Sequence, residues 1–88
     1  MITIKHDMKG SRGTFTAYED DTEAGIMTYE QTDAHTILID HTETYEGFEG
    51  RGIGKALVNA GKQYAETAGL TIVPVCSFAR AVIKRSEQ

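Results

Sequence analysis

Gly47, Gly50, Gly52 and Gly54 place four glycines in eight consecutive positions, directly ahead of a segment with helical periodicity. A backbone without Cβ atoms lets an anion approach closely. The first N–H groups of a helix point outward at the positive end of its dipole. The chemistry on offer is the holding of a phosphate. Two reactive side chains stand nearby in the sequence. Cys76 is the single cysteine, so it forms no internal disulfide, and it has no partner at metal-ligand spacing. It is either a small buried hydrophobe or a working thiol. His41 ends the alternation His35, Ile37, Ile39, His41 on one strand face. It is either a packed, hydrogen-bonded histidine or a proton carrier.

The glycine spacing excludes two familiar phosphate loops. A Walker A loop requires Gly where this chain has Glu49, and Ser or Thr where it has Ala56. A dinucleotide fingerprint requires G-x-G-x-x-G, whereas Gly50, Gly52 and Gly54 give G-x-G-x-G after a meander of strands. Helix-terminal anion binding and a ligand-free turn both remain open.

Composition narrows the class. Thirteen Asp and Glu against nine Lys and Arg leave a net charge of −4, which lacks the basic footprint of a general nucleic-acid binder. No apolar run has the length of a membrane span, and "MITIKHDMKG" has no signal-peptide core, so a cytoplasmic protein is expected. No residue pair has metal-ligand spacing, so no metal is expected. The 88 residues make one domain, 1–88.

The elements that must position these residues follow from pattern. Segments 2–6, 13–19, 24–30 and 35–42 alternate or are β-rich, and short polar turns separate them, which predicts antiparallel hairpins. Ile53, Leu57, Ala60, Tyr64 and Ala68 recur on one face of a helix over 52–68, with Gly61 marking close contact and Gly69 ending it. The apolar run 70–76 predicts a parallel strand buried on both faces, with Pro74 near its end or beside a splay. Ser77 is the expected cap of a short helix whose Phe78, Val82 and Ile83 face inward. The fold class is α+β (α/β three-layer): four antiparallel strands, then a βαβ unit with one parallel strand, then a short C-terminal helix. In such a unit ligands bind beyond the carboxyl ends of the parallel strands, which brings the glycine loop and Cys76 to one end of the sheet.

"EGRGIGKALV" resembles the coenzyme A pyrophosphate loop of the GCN5-related N-acetyltransferase (GNAT) superfamily, whose pattern is Arg/Gln-x-x-Gly-x-Gly/Ala. "IDHTE" at 39–43, "EGRGIG" at 49–54 and "CSFA" at 76–79 occur in the same order in its very small single-domain YidJ-type branch. Glu49 departs from the superfamily pattern. The resemblance implies an acetyl-CoA-dependent N-acetyltransferase acting on an amine. A chain this short has little room for a substrate-specificity domain, which puts a protein among the acceptors to consider. It implies that backbone groups of Thr42, Glu43 and Thr44 pair with the pantetheine arm. Backbone N–H groups of Glu49, Gly50, Arg51, Gly52, Ile53, Gly54 and Lys55 would take the pyrophosphate, with Arg51 and Lys55 adding charge or remaining solvated. His41 and Cys76 would face the acyl group, the first as base and the second as nucleophile or acid. Many relatives place a Tyr acid on the helix after the last parallel strand, where this chain has Phe78. Tyr18, Tyr29 and Tyr45 either line an acceptor groove or pack, and His6 and His35 are expected at the surface. A non-catalytic acyl-CoA binding module is the rival, and a monomer is the simplest state.

Overall fold

Alternating segments joined by turns of two residues leave antiparallel pairing as the short-range option. A computed structural model, which describes residues 1–86, shows this for the first four strands. They are β1 (Ile2–Lys9), β2 (Arg12–Glu19), β3 (Thr22–Asp33) and β4 (Thr36–Thr44). Helix α1 (Ile53–Ala68) crosses over to β5 (Thr71–Pro74), which pairs parallel to β4, and α2 (Ser77–Ser86) follows. The sheet order is β1-β2-β3-β4-β5. The first strands run further than the sequence pattern indicates, since ladder hydrogen bonds extend through polar residues next to the turns.

The core lies between the sheet and α1. Phe15, Met27, Tyr29, Ile37 and Ile39 from the strands meet Ile53, Leu57 and Val58 of the helix, with Ala79 and Val82 of α2 closing one end. The buried stripe of α1 is turned from the expected one. Val58, Gly61 and Ala65 are buried, Ala60 and Tyr64 are half-buried, and Ala68 is exposed. Gly61 does mark close contact: a Cβ there would lie 2.7 Å from Met27 Cε. Gly69 ends α1 in the left-handed conformation (φ 71°), as the C′ position favours.

Strand β5 is an edge strand, with Val73 42% exposed and Val75, just beyond its end, 50% exposed, so the expectation of burial on both faces fails. Its parallel pairing does not depend on that burial. The opposite face of β1, β2 and β3 carries no helix among the described residues. No helix is long and apolar enough to cross a membrane, and no group of three or more His, Cys, Asp or Glu suits a metal, again among the described residues.

Candidate active site

One extra residue in β4 decides which side chains face inward. Tyr29 lies opposite Ile39, yet the next residue of β3, Thr28, lies opposite His41, so Asp40 is additional. A bulge of this kind reverses the alternation beyond it. His41 and Glu43 pair with Thr28 and Ile26 on the outer face, while Thr42 takes the inner position opposite Met27. The expected stripe from Ile37 through His41 therefore ends at Ile39. His41 is 56% exposed, and its Nε2 lies 3.1 Å from Glu43 Oε1.

Asp40 pins the bulge. Thr28 Oγ1 donates to Asp40 Oδ1 at 2.6 Å, and Arg12 Nη2 donates to Oδ2 at 3.0 Å. Burial alone would raise the Asp40 carboxyl, but the Thr28 hydroxyl and the Arg12 guanidinium outweigh it and hold it below the usual carboxylate range.

Beyond the bulge β4 and β5 part. The last paired residues are Ile39 and Pro74. Both Val75 N–H (2.9 Å) and Cys76 N–H (3.1 Å) then donate to the Ile39 carbonyl, which ends the ladder. On the other side Tyr45 N–H donates to Ala24 O at 2.8 Å. Antiparallel alternation then turns the backbone groups of His41 and Glu43 toward β3, and those of Thr42 and Thr44 toward the opening. Of the three residues expected to offer backbone to a pantetheine arm, Thr42 and Thr44 are so placed and Glu43 is not.

Cys76 sits where the opening meets α2. Its carbonyl accepts the Arg80 N–H at 3.0 Å, which makes Cys76, rather than Ser77, the cap residue. Burial alone would raise the thiol. The Ala79 N–H, the Thr42 hydroxyl, the Phe78 N–H and the Thr42 N–H outweigh it and hold the thiol below its ordinary value. Thr42 Oγ1 is buried with no hydrogen-bond partner, and the Cys76 thiol is the group whose titration it lowers.

The glycine loop opens the neighbouring helix. Gly50 and Gly52 both have φ 78°, a conformation side chains disfavour, and nothing lies within 4 Å of where a Cβ would stand. No side chain caps α1, its first turn holds no acidic residue, and Ala56 N–H makes the first bond, to Gly52 O at 2.9 Å. Glu49 is turned back, its Oε1 accepting Gly47 N–H at 2.8 Å. Arg51 is also engaged: Nη1 reaches Glu19 Oε1 at 2.8 Å, and its guanidinium lies 5.8 Å from the Phe48 ring centroid. Lys55 is exposed on the first turn. These residues fit a diphosphate, with bare donors, open space and the nearby carboxylate averted.

Phe78 is 44% exposed rather than directed into the core, and its ring lies across the first turn of α1. A Cβ on Gly54 would stand 2.5 Å from Phe78 Cζ, so this glycine makes room for the ring. Tyr29 is fully buried and Tyr45 donates to Glu23 Oε2 at 2.9 Å. His6 is exposed, as expected, and its ring also stacks on Phe15 at 4.1 Å and bonds Tyr29 Oη at 2.6 Å. Sequence reasoning missed Thr42 as a thiol partner and Asp40 as the bulge anchor. The one available signal was an aspartate directly after the apolar run Ile37–Leu38–Ile39.

The family model described as GCN5-related N-acetyl-transferase matches residues 14–88. The chain belongs to that family. Its fold is shared by a ribosomal-protein-alanine N-acetyltransferase from Brucella melitensis biovar Abortus 2308 (TM-score 0.72, 20% identity, covering 88% of this chain and 62% of that one). A GNAT family acetyltransferase from Elizabethkingia anophelis, with acetyl-CoA bound, aligns at TM-score 0.76 and 17% identity over 98% of this chain and 74% of that one. The IAA acetyltransferase of Bacillus cereus ATCC 14579 gives TM-score 0.77 and 16% identity over 98% and 75%. The chain thus spans 62 to 75% of the length of these structures. A search of curated proteins gives no match.

Proposed function

We propose that this protein is an acetyl-CoA-dependent N-acetyltransferase in which two helix N-termini flank the gap between β4 and β5. The observation that carries this reading is the uncapped start of α1 at the same sheet end as a thiol held below its ordinary value. The N–H groups of the α1 first turn hold the diphosphate, and Thr42 and Thr44 offer strand-edge backbone to the pantetheine. The thioester then lies beside Cys76.

His41 serves from the outer face. Its imidazole, held by Glu43, takes the proton of an ammonium arriving across that face. In direct transfer the freed amine bonds to the acetyl carbon, the carbon–sulfur bond breaks as the Cys76 thiol gives its proton to the departing thiolate, and the proton shed by the new amide nitrogen returns to Cys76. In the covalent route the Cys76 thiolate bonds to the acetyl carbon first, coenzyme A leaves as thiolate and takes a proton from water, and the amine then takes the acetyl group, releasing the Cys76 thiolate while the amide nitrogen gives its surplus proton to water. The N–H groups around the sulfur, rather than His41, support the thiolate in either case. The acceptor is an amine, with a protein amine favoured by the outer face of β1, β2 and β3, which no described helix covers and which continues to His41.

A second reading is a non-catalytic acyl-CoA binding module. His41 lies on the face opposite Thr42, and Phe78 carries no hydroxyl, which removes two proton-transfer groups from the inner side. Mixing with isotopically labelled acetyl-CoA separates the two. Acetyl on Cys76, or on an added amine such as a lysine peptide, supports the enzyme. Tight binding with neither product supports the module.

A further inference from the structure

The first strand ends the sheet, and its pattern is complementary to itself. Asp20 N–H donates to Met1 O at 3.0 Å, and β1 pairs regularly with β2 from Ile2 opposite Glu19 to Lys9 opposite Arg12. Antiparallel alternation therefore turns the backbone groups of Thr3, Lys5, Asp7 and Lys9 toward β2, and those of Ile2, Ile4, His6 and Met8 toward the open edge. A long edge with unpaired donors and acceptors is a template for another strand. The same even-numbered side chains lie on the α1 side of the sheet, beside a groove lined by Ile4, His6, Phe15, Ala60 and Tyr64. The odd-numbered ones lie on the uncovered side.

We propose that β1 pairs with β1 of a second copy, antiparallel about a twofold axis at His6, joining two five-stranded sheets into one of ten strands. Charge selects this register. Centred on His6, Lys5 faces Asp7 of the other copy and Asp7 faces its Lys5, while Ile4 faces Met8. Centred on Lys5, two lysines oppose each other. Centred on Asp7, two aspartates oppose and Lys5 meets Lys9. Centres at Ile4 or Met8 leave much of each strand unpaired. Registers between residues would set apolar side chains against charged ones across the pleat. The His6 register also makes hydrogen-bonded pairs of Ile4, His6 and Met8, the residues whose backbone groups are open.

The charged side chains are free to meet. Asp7 and Lys9 contact no opposite charge among the described residues, and Lys5 lies over the Tyr18 ring at 5.2 Å. The His6 ring is drawn inward against Phe15 and Tyr29, which clears the axis. Met8 is 47% exposed and comes to lie opposite Ile4, over the open groove. Opposite charges directly across a strand pair favour it, and like charges disfavour it.

Sedimentation of the full chain with charge-reversed variants tests this. The wild type is expected to be a dimer at micromolar concentration. Lys5→Asp and Asp7→Lys, each placing like charges in register, are expected to be monomers. Mixing those two variants restores a dimer, and so does the double reversal. Asp7→Lys leaves the Lys5–Tyr18 contact intact, so a monomer from that variant reflects the edge and not a damaged fold. Hydrogen exchange gives a second reading: amides of Ile4, His6 and Met8 are protected in the wild type and exchange in Asp7→Lys, while those of Thr3, Lys5 and Asp7 stay protected in both. A wild type that is monomeric throughout, a single reversal that stays dimeric, or a mixture that fails to associate overturns the proposal.

Discussion

Two helices begin at the same end of the sheet, and their first turns are finished in opposite ways. Helix α1 starts from Gly52 with no side-chain cap, while α2 starts from Cys76 with a sulfur facing the N–H groups of Phe78 and Ala79. Helix N-termini carry the same unsatisfied donors whatever their sequence. What differs is whether the chain supplies the acceptor. An empty terminus is available to an anion from outside, whereas a filled one stabilises an anion of the protein itself. The first is suited to binding and the second to reactivity.

The strongest test of the contrast fills the empty terminus. Gly52→Glu sets a carboxylate beside the donors of α1, in open space but at an unfavourable φ. Coenzyme A affinity measured by calorimetry is expected to fall by about 3 kcal/mol, roughly 100-fold. Unchanged affinity in a folded variant would move the anion site elsewhere. Gly54→Glu is the poorer choice, because any side chain there meets Phe78.

Emptying the filled terminus comes next. Cys76→Ala should cost about 1 kcal/mol of stability through the lost cap, whereas Cys76→Ser should keep most of it. Both should retain coenzyme A binding within about 1 kcal/mol and lose acetyl transfer by at least ~10-fold. Alkylation by iodoacetamide should show a midpoint below that of free cysteine, since the folded thiol is depressed. The stabilisation from this thiolate is present above its unfolded pKa and is lost as pH falls through the folded one. Full turnover by Cys76→Ala would remove sulfur from the chemistry.

Smaller effects are expected from the two outer-face groups. Asp40→Asn weakens the anchor to Thr28 and Arg12 and should cost about 1 kcal/mol in urea denaturation. Its carboxyl is depressed in the fold, so its contribution is complete above the unfolded pKa and disappears as acid titrates the folded group. The wild-type advantage over Asp40→Asn should therefore shrink toward low pH, and an unchanged difference would argue against the ion pair. His41→Ala should alter stability by no more than about 0.5 kcal/mol, since the side chain is exposed. If His41 is the base, the acidic limb of the pH–rate profile disappears with it, whereas an unaltered limb assigns proton removal to another group.

The order of elements, the parallel β5 and the convergence of loop and thiol were legible because periodicity, turn residues and the βαβ rule are local or topological. Gly61 and Gly69 were readable for the same reason. The inward direction of His41 was misread because alternation is a count, and a bulge held by Arg12 and Thr28 from two other strands adds one to it. Phe78 was misread because its neighbour, Gly54, lies on a different helix. The burial of β5 was misread because apolar composition alone cannot separate a central strand from an edge covered on one side.

Asp40 also makes the phase of β4 a chemical variable. Because Asp40 is the additional residue, deleting it would leave Ile39 opposite Tyr29 and His41 opposite Thr28, and no later side chain would change face. Straightening the bulge with Asp40 kept in the count would do the reverse: Ile37 and Ile39 would keep their places in the core while Thr42 left the thiol and His41 turned toward it. Which group the thiol meets is thus written in whether one residue joins the ladder, so a comparison of related chains by identity alone would overlook the change that matters most here.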